Sequence, residues 1–187
     1  MAYALQQGHV STEGSDVWKG VIAGAAGGLA GCVAMNAFQR MWSKTAEGRA
    51  PESTAGPHDA REWQERQEGR NSNEMVAQFA AEHTIGRSLT RDELAVAAPV
   101  VHFAFGAAMG ALYGYFVETG HRGGVKSGAQ FGMSVWAAAD EAAMPALGLS
   151  ESTLHRPGEL HTQSFASHVV FGVTTEVVRR TVRAILR

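Results

Sequence analysis

Six side chains that can exchange protons, ligate metals or hydrogen-bond strongly stand inside otherwise apolar stretches: Asn36, His102, Asp140, Glu141, His168 and Glu176. Ionisable groups are costly in such surroundings and as a rule face a protein interior or a wet cavity. Two imidazoles with Asp140 or Glu141 supply the donor types of a divalent transition metal such as zinc or ferrous iron, so His102, Asp140, Glu141 and His168 are the expected ligands. Two histidines on helices running the same way could instead clamp a haem iron, with Gly106 and Gly172 leaving room for the ring. A third reading is a proton or ion path, in which His and carboxylate pass protons and Glu176 carries the path inward. The fourth is a hydrogen-bonded network, Asn36 and Glu176 included, that only fixes helix register. His155, Glu159 and His161 would sit in a loop at the mouth of such a site. No Gly-x-Ser-x-Gly, P-loop or Rossmann glycine pattern is present, and Cys32 has no His partner in sequence, so a non-enzyme is the simpler expectation.

The elements that must position these groups follow from the charge pattern. Gly20 to Phe38 carries no charge, and Leu94 to Val117 has His102 as its one charge-bearing side chain. The latter is long enough to cross ~30 Å of hydrocarbon at ~1.5 Å per residue. A third stretch, Gly123 to Leu149, is broken by Lys126 and Asp140-Glu141, and a fourth, Phe165 to Val178, must draw on Leu160 to Ser164 for length. The expected fold is therefore all-α: a four-helix transmembrane bundle over residues 17–42 and 91–187, behind a tail over 1–16. Counted from the ends of their spans, Asn36, His102, Glu141 and His168 fall ~6–12 Å from the same side. That places His102 and His168 as neighbours, with Asp140 or Glu141 between them.

Between the first two spans lies a polar insert, residues 43–90, expected outside the membrane. Its run from Ala60 to Arg70 should carry water-exposed helix. Asn73 can cap a second helix ending near Gly86, with Val76, Phe79, Ala80 and His83 on one face. Thr90 and Glu93 then fit a capping box that starts the second span near Arg91. Pro99 and Pro145 each remove a backbone donor and should kink the second and third helices.

The 187 residues carry only 18% charged side chains and a net charge of −2, which gives no basic surplus for nucleic acid. The mean hydropathy of −0.12 averages apolar stretches with the polar insert. One cysteine excludes an intrachain disulfide framework. The start lacks the basic and apolar regions of a cleaved signal peptide. Lys19, Arg122, Lys126, Arg179, Arg180, Arg183 and Arg187 collect on the side shared by both termini, which the positive-inside rule makes cytoplasmic; Arg40 and Lys44 argue the other way.

The 22 glycines, where ~13 would be average, concentrate in the apolar stretches. Three sets repeat every fourth residue: Gly20, Gly24 and Gly28; Gly106, Gly110 and Gly114; and Gly124, Gly128 and Gly132. Each set forms a spine that lets backbones approach. The halves also resemble each other. Gly20, Gly24 and Gly28 match Gly124, Gly128 and Gly132, Asn36 matches Asp140, and His102-x-x-Phe105-Gly106 matches His168-x-x-Phe171-Gly172. The bundle then reads as two hairpins of like orientation, an arrangement found in transporters with sites at the repeat interface. Besides the lipid bilayer, the expected partners are further copies of the chain or a larger membrane complex in which it serves as an interaction subunit.

The runs Ser167 to Arg180 (SHVVFGVTTEVVRR), Met144 to Leu149 (MPALGL) and Val101 to Glu118 (VHFAFGAAMGALYGYFVE) resemble the YagU-like family of bacterial inner-membrane proteins of unknown function. The resemblance covers the second half and the second span, whereas the first span and the insert match little. It implies a multi-span inner-membrane protein tied to acid tolerance, with both termini cytoplasmic, and it brings no catalytic residues.

Overall fold

The computed structural model describes residues 2–46, 72–120, 123–149 and 158–186. Among the described residues every regular element is helical: α1 (Ala2–Ala46), α2 (Ser72–Thr84), α3 (Arg91–Glu118), α4 (Val125–Trp136), a π-helical segment (Ala137–Ala143), α5 (Met144–Ala146) and α6 (Gly158–Ile185). The stretch expected as an N-terminal tail is thus part of α1. The run from Ala60 to Arg70 and His155 lie outside the described residues.

Two helices are long and apolar enough to cross a membrane, one within Asp16–Thr45 and the other α3. The charge pattern predicts four. The other two fall short for reasons visible in their residues: α4 is cut to 12 residues by the π segment, and α6 carries Glu176, Arg179 and Arg180 in its apolar half.

α3 begins as its capping box requires. Thr90 Oγ1 accepts from the Glu93 amide at 3.3 Å, and Glu93 Oε2 accepts from the Thr90 amide at 2.8 Å. The helix runs on through Pro99. At Pro145 the response is different. The ring cannot donate to the Glu141 carbonyl and would crowd it, and the preceding turns widen so that the Met144 amide reaches Ala139, five residues back. A π segment therefore stands where a simple kink was expected.

α2 lies against α3, and it buries Ala77 and Ala81. The expected face was Val76, Phe79, Ala80 and His83, of which Ala80 and His83 are exposed. Two alanines one turn apart let the helix sit close, and the larger side chains are displaced to the rim. Gln78 Oε1 accepts from the Leu89 amide at 3.0 Å, and Arg87 clasps Glu93 through both carboxylate oxygens at 2.6 and 2.9 Å. Hydrogen bonds from Gln78 and Ser88 hold the exposed Glu82 carboxyl below its ordinary range.

The long helices are arranged in the order α3, α1, α6, α4, with α1 packed on α3 and α6 and α4 packed on α6. The ring closes where Tyr113 of α3 stacks on Phe131 of α4 at 4.6 Å between centroids. Along α1 and α3 the backbones touch. A Cβ added to Gly28 would strike the Gly106 carbonyl, one on Gly24 the Gly110 carbonyl, and one on Gly114 the Gly20 carbonyl. The first two spines thus face each other over their whole length, with Gly20 also covered by the Glu118 side chain. Along α4 and α6 the corresponding contacts join Gly132 to the His168 carbonyl and Gly172 to the Gly128 carbonyl. Gly124 does not continue this third spine: it precedes α4, and a Cβ there would meet only the Arg180 and Ser127 side chains, at 3.4 and 4.0 Å. α1 meets α6 through Gly27 and Gly31, set against Thr175 and Phe171. Cys32, Met35, Val135 and Phe171 form the core, with Phe103, Met109 and Phe131 against it.

Candidate functional site

At the α2 end of the bundle, each hairpin carries its own polar group. The π segment turns Asp140 toward α6, where its Oδ2 accepts from Ser164 Oγ at 2.5 Å. One turn on, His168 Nδ1 lies 2.9 Å from the Ser164 carbonyl. Glu141 Oε1 stands 3.6 Å from His161 Nδ1, and the His161 ring meets Trp136 edge-on at 5.0 Å. Sequence reasoning put His161 in a loop; it belongs to α6, which starts earlier than the apolar pattern does.

On the other hairpin, Asn36 of α1 and His102 of α3 line a cavity of about 220 Å³ that α2 covers with Asn73 and Glu74. Cys32 Sγ donates to the His102 carbonyl at 3.6 Å, tying α1 to α3 at this level. His102 Nε2 is buried and makes no hydrogen bond. His102 and His168 lie within electrostatic reach of each other, and the carboxylates of Asp140 and Glu141 stand beside Ser164 and His161 of α6. Among the described residues no group of three His, Cys, Asp or Glu side chains is placed to hold a metal ion. The expected ligands His102, Asp140, Glu141 and His168 are thus not gathered into a group of three or more, and the zinc and iron reading is not supported.

The opposite end holds a group that sequence reasoning saw only in pieces. Glu176 has no solvent exposure. Its Oε2 accepts from Arg179 Nε at 2.7 Å and its Oε1 from Arg180 Nε at 2.6 Å. Arg179, itself 5% exposed, also lies 3.7 Å from Glu118 at the end of α3. Arg183 donates to Glu118 at 2.9 Å and to Asp16 of α1 at 3.1 Å, and Lys19 stands 3.6 Å from Asp16. Gly123 approaches so closely that a Cβ there would lie 2.8 Å from both Glu176 and Arg179. The ion pairs join α1, α3 and α6 at one end. The signal was present in Glu176-x-x-Arg179-Arg180, whose spacing of three and four residues puts both guanidiniums over the carboxylate.

The two polar levels are separated by the apolar core of Cys32, Met35, Val135 and Phe171. Residues 65–177 match the family described as "Protein of unknown function (DUF1440)", and the chain belongs to that family. The match takes in α2, α3, α4 and α6 as far as Val177, and so includes His102, Asp140, Glu141, His168 and Glu176. No curated protein and no solved structure matches the chain.

Proposed function

We propose that this member of the family is a small integral protein of the bacterial inner membrane, a four-helix transmembrane bundle of two pseudo-repeated hairpins, and that it acts as a non-catalytic binding module. The observation that carries the membrane reading is the inverted distribution of side chains. Glycine, Ala23, Cys32, Ser167 and Thr175 face inward, while Val33, Val96, Val100, Phe105, Leu112 and Phe116 face outward, Val96 being 67% exposed. A protein folded in water places its bulky apolar groups inside; helices that associate in lipid bring small residues together and turn the bulky ones to the acyl chains.

The register of the two hairpins supports duplication. Gly28 meets Gly106 as Gly132 meets Gly172, and Gly24 meets Gly110 where Gly128 meets Glu176. The second hairpin has replaced a packing glycine by the buried carboxylate. α4 and α6, short of apolar length alone, cross as parts of this bundle with Arg179 and Arg180 at its cytoplasmic end, beside both termini.

Binding rather than translocation is favoured by the apolar core between the polar levels and by the ion-paired lock at Glu176. After alkaline extraction the protein should stay with the membrane fraction. From outside intact cells, cysteines introduced by Ser53→Cys and Ser152→Cys should label and one introduced by Ser127→Cys should not. Proteoliposomes should hold a pH gradient as well as empty vesicles do. A leak abolished by Glu176→Gln would replace binding with proton translocation, and quantitative release at alkaline pH would remove the membrane reading altogether.

A further inference from the structure

The geometry points to a ligand for the cavity over His102: a compact ammonium group, held by Glu74 and Asn36. The inference deepens the binding reading above and rests on it. Three helices build the cavity, Asn36 coming from α1, Glu74 from α2 and His102 from α3. Its lining is rich in acceptors. Among the described residues that line it, Glu74 is the one formally charged side chain and none is Lys or Arg. The Ala95 carbonyl, on the same wall, loses its ordinary helical donor because residue 99, four positions on, is proline. Asn36 adds an amide oxygen.

An ammonium group matches this set because it brings three donors and no acceptor. An anion would meet the Glu74 carboxylate. The α2 N-terminus, which alone would attract an anion, already has Glu74 in its first turn. A bare divalent metal would be short of ligands, since no third His, Cys, Asp or Glu among the described residues stands near enough.

Size limits the guest. A volume of 220 Å³ holds about seven water-sized groups at ~30 Å³ each, which is below the range of drug-sized pockets. The remaining wall, Leu94, Ala98 and Phe103, suits a short methylene chain beside the charge. The clasp of Arg87 on Glu93 and the Gln78 bond to Leu89 hold α2, and with it Glu74, over the opening. The same chemistry could arrive as a free small amine or as the aminoethyl headgroup of a membrane lipid, because the cavity lies at the mouth of the bundle.

The test uses the full chain purified in detergent, with ethanolamine as the free probe, acetate as the anionic control, and phosphatidylethanolamine against phosphatidylglycerol as lipid probes. Ethanolamine should give a saturable heat of binding, acetate none, and Glu74→Gln should weaken ethanolamine at least tenfold while helicity and melting temperature stay unchanged. Glu74→Asp should retain part of the affinity, which separates charge from fold. If the lipid is the source, native mass spectra will show phosphatidylethanolamine retained by the wild type, lost in Glu74→Gln and displaced by ethanolamine. A free amine as the source predicts ethanolamine binding that added phosphatidylethanolamine does not reduce. Equal affinity of wild type and Glu74→Gln, preference for acetate, or no heat with any amine would overturn the proposal. Alkaline extraction, scored separately, reports on the membrane reading, so the two can fail independently.

Discussion

Glu176 concentrates more of the interior's polarity than any other described residue, and its surroundings predict how unequal its two partners are. Glu176→Ala leaves Arg179 buried with only the 3.7 Å contact to Glu118, so a loss of ~3–5 kcal/mol is expected, as for other broken buried pairs. Arg180 is half exposed, and Arg180→Ala should cost no more than ~1 kcal/mol. Thermal unfolding in detergent would read both; equal losses would contradict the asymmetry of burial. At the other end of the scale is Glu82, fully exposed, whose carboxyl is held below its ordinary value of 4.5 by Gln78 and Ser88. A depressed folded value means the stabilisation is complete above pH 4.5 and fades as pH falls through the folded value. Gln78→Ala should therefore raise the Glu82 midpoint toward 4.5 in an NMR titration, and an unmoved midpoint would deny the bond. The residue types at these sites were legible in the sequence, but their partners were only partly so. Arg179 and Arg180 follow from helical spacing, whereas Glu118 and Asp16 come from helices distant along the chain, which periodicity cannot pair. His102 and His168, read at one level, lie within electrostatic reach of each other; the neighbours of Asp140 and Glu141 on α6, Ser164 and His161, lay outside the apolar pattern.

At the level of elements, the boundaries that polar side chains determine were readable and those that backbone accommodation determines were not. Thr90 and Glu93 announce the start of α3 in four residues, and the structure contains both bonds of that box. The π segment has no comparable signature: Pro145 says that a donor is missing, but whether the helix kinks or widens depends on what its turns pack against. Widened turns usually reflect one residue more than the α repeat needs, absorbed as a bulge. Deleting Ala138, within Ala137–Ala143, should therefore be tolerated, with the Gly128 and Gly132 contacts upstream intact and a melting temperature within a few degrees of the wild type. Deleting Ala30 from α1 rotates the following residues by about a third of a turn and pulls Gly31 and Cys32 off their contacts; no folded protein should be recovered. Similar outcomes for the two deletions would show that the π segment is not a register reservoir. α2 makes the same point from the opposite direction. Its existence and its end at Gly86, where φ is +69°, were legible, but its buried strip was displaced by one residue because alanine, not the larger apolar group, permits the closer approach.

For the molecule as a whole, the seam between the halves is as close as the seams within them. The α1–α3 and α4–α6 pairs each contain their own backbone contacts, and the halves meet backbone to backbone where Gly27 and Gly31 face the Thr175 and Phe171 carbonyls, and through the salt bridges of Arg183 to Asp16 and Glu118. The connection from Gly120 to Gly123 spans very few residues. It follows that covalent continuity there is dispensable. A gene cut after Gly120 should yield two polypeptides that find each other in the bilayer and co-purify as one particle. Gly27→Val, which drives a side chain into the Thr175 carbonyl, should separate them while leaving each fragment inserted. If instead neither fragment accumulates without the other being fused to it, the halves fold only as one chain. Successful complementation would give the two-part pattern in the sequence a history: a single hairpin that once paired with a copy of itself, later joined end to end and free to let one copy exchange a packing glycine for a charge.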